Sequence, residues 1–152
     1  LVHLAHYLPL LLRAQTELAK ALREVGDAHG DEPDVATLCE QQALRCDERA
    51  GELEPFAERY GRDADDEPER LHSELFRGTR TGGLGLLRDL QDLYLMAAEC
   101  DICWTVAGQA AQGARDDELL AVVKKGMTDA ERQLAWVRTR MKQSAPQALV
   151  VG

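Results

Sequence analysis

Apolar residues recur along this chain at the three-and-four spacing of helices that bury one face, and four segments carry the pattern. In the first, from about Leu4 to Ala28, Leu4, Leu11, Leu18 and Val25 stand seven apart, with Leu8 and Leu22 beside them. Pro9 lies in its opening turns, so regular hydrogen bonding is expected to begin there. Gly26 and Gly30 punctuate its end. The second segment, about Glu32 to Tyr60, has Asp31 as a cap and Pro33 in its first turn. Its inward row reads Val35, Cys39, Gln42, Cys46, Arg49, Leu53 and Phe56, and Pro55 is expected to kink or shorten its last turns. The third spans about Leu84 to Gly113. The fourth spans about Asp117 to Gln143, with Asp116 as its cap and Ala145-Pro146 as its stop.

Between the second and third segments lies a long link, residues 62–83, acidic at first, then a short helix around Glu69 to Phe76, then Gly-rich. Connections within each helix pair are short, which makes each pair an antiparallel hairpin, whereas the link is long enough to travel back along a bundle. The hairpins also align without a gap at an offset of 84, pairing Leu11, Leu18 and Leu22 with Leu95, Ile102 and Val106, and Val35, Cys39 and Leu53 with Leu119, Val123 and Val137. The expectation is one all-α domain, residues 1–144: a four-helix bundle of two antiparallel hairpins, related by a pseudo-twofold and joined by one long crossover. Residues 145–152 are expected to form a short, extended apolar tail past the last helix.

Composition agrees with packed helices. Hydrophobic residues make up 45% and aromatics only 5%, with Leu and Ala dominant. The net charge of −9 speaks against nucleic acid and anionic membrane surfaces as partners, since both call for clustered Lys and Arg. No apolar run approaches the roughly 20 residues that span a bilayer. The apolar opening Leu1 to Leu12 has no basic start and no small-residue cleavage site, so it reads as the first turns of a core helix. Cys39, Cys46, Cys100 and Cys103 fall inside helical patterns, as buried thiols of a reducing cytoplasm do.

On these four helices, two hairpins and one crossover, the chain resembles the ferritin-like superfamily, and most of all the small bacterial ferritin-like stress proteins. The resemblance implies a di-metal site to which the first and third helices each give a Glu and the second and fourth each give a Glu-x-x-His pair. The matching positions here are Gln15 on the first helix and, by the offset of 84, Glu99 on the third. The second helix offers Cys46-x-x-Arg49 and the fourth Ala130-x-x-Gln133. Of six expected ligands only Glu99 is a carboxylate, and His3, His6, His29 and His72 lie near the chain start or in links. The expectation is therefore a degenerate site with no cofactor, in which Gln15, Cys46, Arg49, Glu99 and Gln133 form a buried polar cluster and Arg49 pairs with Glu99. The alternative is an iron-handling or oxidase protein whose ligands are displaced to Glu17, Asp47, Glu99 and Glu131.

Other constellations add less. Cys100-x-x-Cys103 lies mid-helix, away from the helix N-terminus that activates such thiols. A site built from all four Cys matches no closed zinc spacing. Gly82-Gly83-Leu84-Gly85 lacks the strand and Lys of a phosphate loop. The third helix is apolar on two sides. With Leu95, Glu99, Ile102 and Val106 assigned to the core, the second side, containing Leu90, Leu93, Tyr94, Ala97 and Trp104, is expected to form a helix–helix interface between two copies of the chain. The sequence thus favours a non-catalytic bundle acting in binding or assembly, as a homo-oligomer, most simply a dimer, or with a protein partner.

Overall fold

A computed structural model describes residues 2–61 and 75–151. Where apolar side chains return every three or four residues, the chain forms four long helices: α1 (Val2–Ala28), α2 (Pro33–Gly61), α3 (Gly82–Gly113) and α4 (Asp117–Pro146). Their ends lie within three residues of the expected ones. Among the described residues there is no strand, and no helix is long and apolar enough to cross a membrane. The expected link helix falls at residues 69–74 outside the described residues, while Leu75 and Phe76 are not helical.

Each hairpin closes on itself, α1 on α2 and α3 on α4, and the hairpins then meet through α1 against α3 and α2 against α4. All of these pairs run antiparallel. Along α1 and α3, Tyr7 meets Cys103 and His29 meets Asp89. Along α2 and α4, Asp34 meets Arg140, Cys46 meets Gln133, and Tyr60 meets Asp116. It follows that α2 ends at one end of the bundle and α3 starts at the other, as a crossover requires.

The core stripes of α1, α2 and α4 are largely those read from the sequence: Leu4 to Val25 on α1, Val35, Cys39, Cys46, Arg49 and Leu53 on α2, and Leu119, Val123 and Val137 on α4 are buried, while Gln42 and Phe56 of the α2 row are half-buried. On α3 the two sides are exchanged. Leu90, Leu93, Ala97 and Trp104, expected at an interface between copies, are fully buried inside the single chain together with Leu86, Cys100, Ala107 and Ala111. Leu95, Ile102 and Val106, expected in the core, are 55%, 61% and 46% exposed, and Tyr94 is half-buried at the edge. The physical reason is a register shift. Leu8, Leu11, Leu18 and Leu22 of α1 correspond to Leu90, Leu93, Cys100 and Trp104, an offset of 82, whereas α2 and α4 keep 84. From Val25 to Val35 is ten residues and from Ala107 to Leu119 is twelve, so the second hairpin carries two more residues around its turn.

Close approach of α3 to α4 explains one glycine. A Cβ on Gly126 would stand 2.3 Å from the Trp104 ring, so only a residue without a side chain lets the indole lie flat on α4. Two other expectations change. Pro9 lies inside α1 rather than at its start, because the turn before it buries Leu4, Ala5 and His6, and this burial outweighs a lost hydrogen bond. The tail is not extended: α4 runs on to Pro146, and Gln147–Val151 form one wide further turn with Leu149, Val150 and Val151 exposed.

Candidate functional site

A cluster of polar residues enters the core halfway along the bundle, where α2 faces α4. The spacings of three between Cys46 and Arg49 and of four between Asp129 and Gln133 put each pair on one face, one helical turn apart. Arg49 is only 5% exposed. Its Nε donates to Asp129 Oδ2 at 2.6 Å, and its Nη1 to Glu52 Oε1 at 2.7 Å on its own helix. Burial disfavours the guanidinium charge, but the hydrogen bond and charge of Asp129 outweigh it and hold the arginine even more firmly protonated than usual. One turn away Gln133 Nε2 donates to Cys46 Sγ at 3.3 Å. Across the core the Gln15 amide lies beside the Cys100 thiol.

Gln15, Cys46, Arg49 and Gln133 are therefore in the interior, as expected. Glu99 is not among them. The register shift makes Ala97 the counterpart of Gln15 and turns Glu99 to a half-buried flank, where its charge acts on Tyr7 and Cys103. The carboxylates that neutralise Arg49 are Asp129 and Glu52, so the expected Arg49–Glu99 pair is replaced. Asp129 was legible in one respect, since it lies one turn from Gln133 on the inward face; what hid it was the adjacent Ala130, which is buried too.

The thiols are all unpaired and all buried. Burial pushes the Cys46 and Cys39 thiols up to about 12, and Cys100 well above its ordinary value. At neutral pH these are protonated groups, poor nucleophiles and poor metal ligands. Cys100 points into the core beside Gln15, not to the opposite face as the earlier stripe required.

The displaced ligand set does not converge. Glu17 pairs with Arg13 at 3.1 Å and Asp47 with Arg23 at 2.7 Å, both on the surface, and Glu131 is exposed in a groove with Lys124 and Leu134. Among the described residues no three His, Cys, Asp or Glu side chains come together as a metal site. The residues at the expected ligand positions are two amides, a thiol, two alanines and a buried guanidinium. That donor set does not fit two divalent ions, which need several carboxylates and imidazoles and tolerate no fixed cation between them.

A second buried polar cluster, missed in the sequence, closes one end of the bundle. His29, in the short loop after α1, is buried with its Nε2 at 2.7 Å from Asp89 Oδ2, and Asp89 is fully enclosed on α3. Arg80, from the segment leading into α3, gives Asp89 a backbone N–H at 3.0 Å and a guanidinium at 2.8 Å, and reaches Asp92 at 2.9 Å. A loop histidine and an aspartate among leucines (Leu86, Leu90, Leu93) carry no periodic signal that joins them. This cluster fastens loops to a helix, and both carboxylate oxygens of Asp89 are already engaged.

Comparison with known proteins adds no name to this geometry: the chain matches no protein-family model, no curated protein and no solved structure.

Proposed function

We propose that the chain is a non-catalytic, ferritin-like helical bundle that acts in binding or assembly, its metal position given over to an internally neutralised polar core. The observation that carries this reading is the Arg49–Asp129 pair, 2.6 Å long and buried, at the level where Gln15, Cys46 and Gln133 stand in for ligands. A guanidinium held there repels a divalent cation and supplies the positive charge that a metal would otherwise bring. The arrangement of helices supports the ferritin-like part of the reading, because α1 neighbours α3, α2 neighbours α4, and every adjacent pair is antiparallel. A net charge of −9 supports a protein partner over nucleic acid or an anionic membrane. Four buried, unpaired thiols suit a reducing cytoplasm. Assembly as a homo-oligomer belongs to the same proposal.

Elemental mass spectrometry of protein produced with added iron and a reductant tests it. The expected result is no stoichiometric iron and no oxo-bridged absorption band. About two irons per chain, the loading of a di-metal carboxylate bundle, would overturn the reading.

A further inference from the structure

The side of α3 turned away from the core has an order of its own. Leu84, Arg88, Gln91, Leu95, Glu99, Ile102 and Val106 follow one another at spacings of four, three, four, four, three and four, which read the same in both directions from Leu95. Leu84, Leu95, Ile102 and Val106 are exposed, 46–61% each, a concentration of aliphatic surface that a lone chain has no use for. Exposed Met127 on α4 borders it, as does half-buried Leu134. Beside Leu95 lies a shallow depression of about 300 Å³ lined by Arg88, Gln91, Asp92, Tyr94, Leu95 and Met141, whose exposed floor is mostly apolar.

We propose that this ridge is the contact face of a twofold dimer, α3 against α3 of a second copy, antiparallel, with Leu95 on the axis. A self-complementary interface places each residue opposite the one equally far from the axis on the other side. Leu84 then meets Val106 of the second copy, Leu95 meets its twin, and Gln91 meets Glu99. Arg88 lays its stem on Ile102 of the second copy, with its guanidinium one turn from the same Glu99. Each Glu99 is thereby approached by an amide and a guanidinium, and the two polar groups flank one apolar centre.

Charge selects this register over its rivals. A parallel arrangement sets Arg88 on Arg88 and Glu99 on Glu99. An antiparallel one shifted by a turn toward the C-terminus puts Glu99 on the axis against itself, and one shifted by a turn the other way sets Glu99 against Gly83, away from Arg88. Like charges directly opposed oppose association; the Leu95 axis opposes none along the ridge and brings Arg88 within one turn of Glu99 of the second copy. The depression beside Leu95 receives the leucine of the second copy, with Tyr94, over which Arg138 stacks, as its aromatic wall.

This inference rests on the assembly half of the function proposed above and not on its metal-free core. The test is site-directed cross-linking of the full chain. Leu95→Cys places two thiols across the axis, so mild oxidation is expected to convert most of the protein to a covalent dimer on non-reducing gels. The native cysteines are buried and leave the unsubstituted chain as a low background. Ile102→Cys is the register control: its two copies would lie about 21 Å apart at 1.5 Å of rise per residue, beyond the reach of a disulfide. Arg88→Glu, at an exposed position, is expected to weaken dimerisation about tenfold in analytical ultracentrifugation, with unchanged helix content. If neither cysteine variant cross-links, or Ile102→Cys does so as readily as Leu95→Cys, the proposal fails. Iron content measured on the same preparations separates the two ideas, because a di-iron protein that cross-links at Leu95 would sink the functional reading and leave the dimer standing.

Discussion

Arg49 and Asp129 decide what the middle of this bundle can do. Each is almost wholly removed from water, Asp129 compensated by the guanidinium 2.6 Å away and Arg49 by Asp129 together with Glu52 at 2.7 Å. Breaking the pair from one side is therefore worse than removing it. Arg49→Leu strands a buried carboxylate and is expected to lower stability by about 3–5 kcal/mol. Asp129→Leu is expected to be milder, since Glu52 still neutralises the guanidinium from the same helix. The double substitution is expected to fall near the wild type or above it, because two well-packed leucines replace a pair that must be desolvated. Urea unfolding of the three variants gives the coupling energy, and additive losses would show that the pair is not the unit described here. The sequence announced the polar level itself through Gln15, Cys46, Arg49 and Gln133, which sit on unmistakable apolar stripes. It did not announce the partner. Asp129 and Glu131 both flank the inward row of α4, and only the rotation of the helix, fixed by Trp104 lying on Gly126, chooses between them.

At the scale of elements, three helices advertised their buried faces and one did not. In α1, α2 and α4 charged residues line the outer face, so the inner stripe stands out. Along α3 leucine, isoleucine and valine occur all round, and the periodic signal cancels. The gapless match between hairpins then chose the wrong stripe, because two extra residues around the second turn shift α3 against α1 but leave α4 in step with α2. That turn is built around Asp116. Its Oδ1 accepts the Leu119 N–H at 3.0 Å and caps α4, while Oδ2 takes Tyr60 Oη and Arg59 Nη2, both at 2.6 Å. Burial raises this carboxyl, but the bonds from Tyr60 and Leu119, and then Arg59, outweigh it and hold the group below its ordinary value. A depressed folded value means stabilisation fully present above the unfolded carboxyl range, about 4, and lost as pH falls through the folded value. Asp116→Asn keeps a capping oxygen and removes the charge. It is expected to be about 1 kcal/mol less stable than wild type at pH 7, with the gap closing as pH falls below the ordinary carboxyl range, about 4. A gap that stays constant across that range would show that the carboxylate charge contributes nothing.

For the whole molecule the question is whether two hairpins of similar build behave as one body. Three buried or half-buried ties join them: Asp89 with His29 at one end, Arg49 with Asp129 in the middle, and Asp116 with Tyr60 and Arg59 at the other. Arg140 adds a clasp on α2, reaching Asp34 at 2.7 Å and Glu32 at 3.1 Å. Ties at both ends and the centre leave no length along which α3–α4 can part from α1–α2 without breaking a buried polar contact. One cooperative unfolding transition follows. The chain has its own reporters for this, because Trp104 and Trp136 both lie in the second hairpin, whereas far-ultraviolet circular dichroism reads all four helices. The two signals are expected to give the same urea midpoint. Asp89→Ala removes the acceptor of the enclosed His29 bond, which should lower stability by about 2–3 kcal/mol, and both midpoints should move together. If tryptophan emission changes at a different urea concentration from the helix signal, in the wild type or in Asp89→Ala, the hairpins melt separately. The polar ties would then be local fastenings with no part in holding the bundle as a unit.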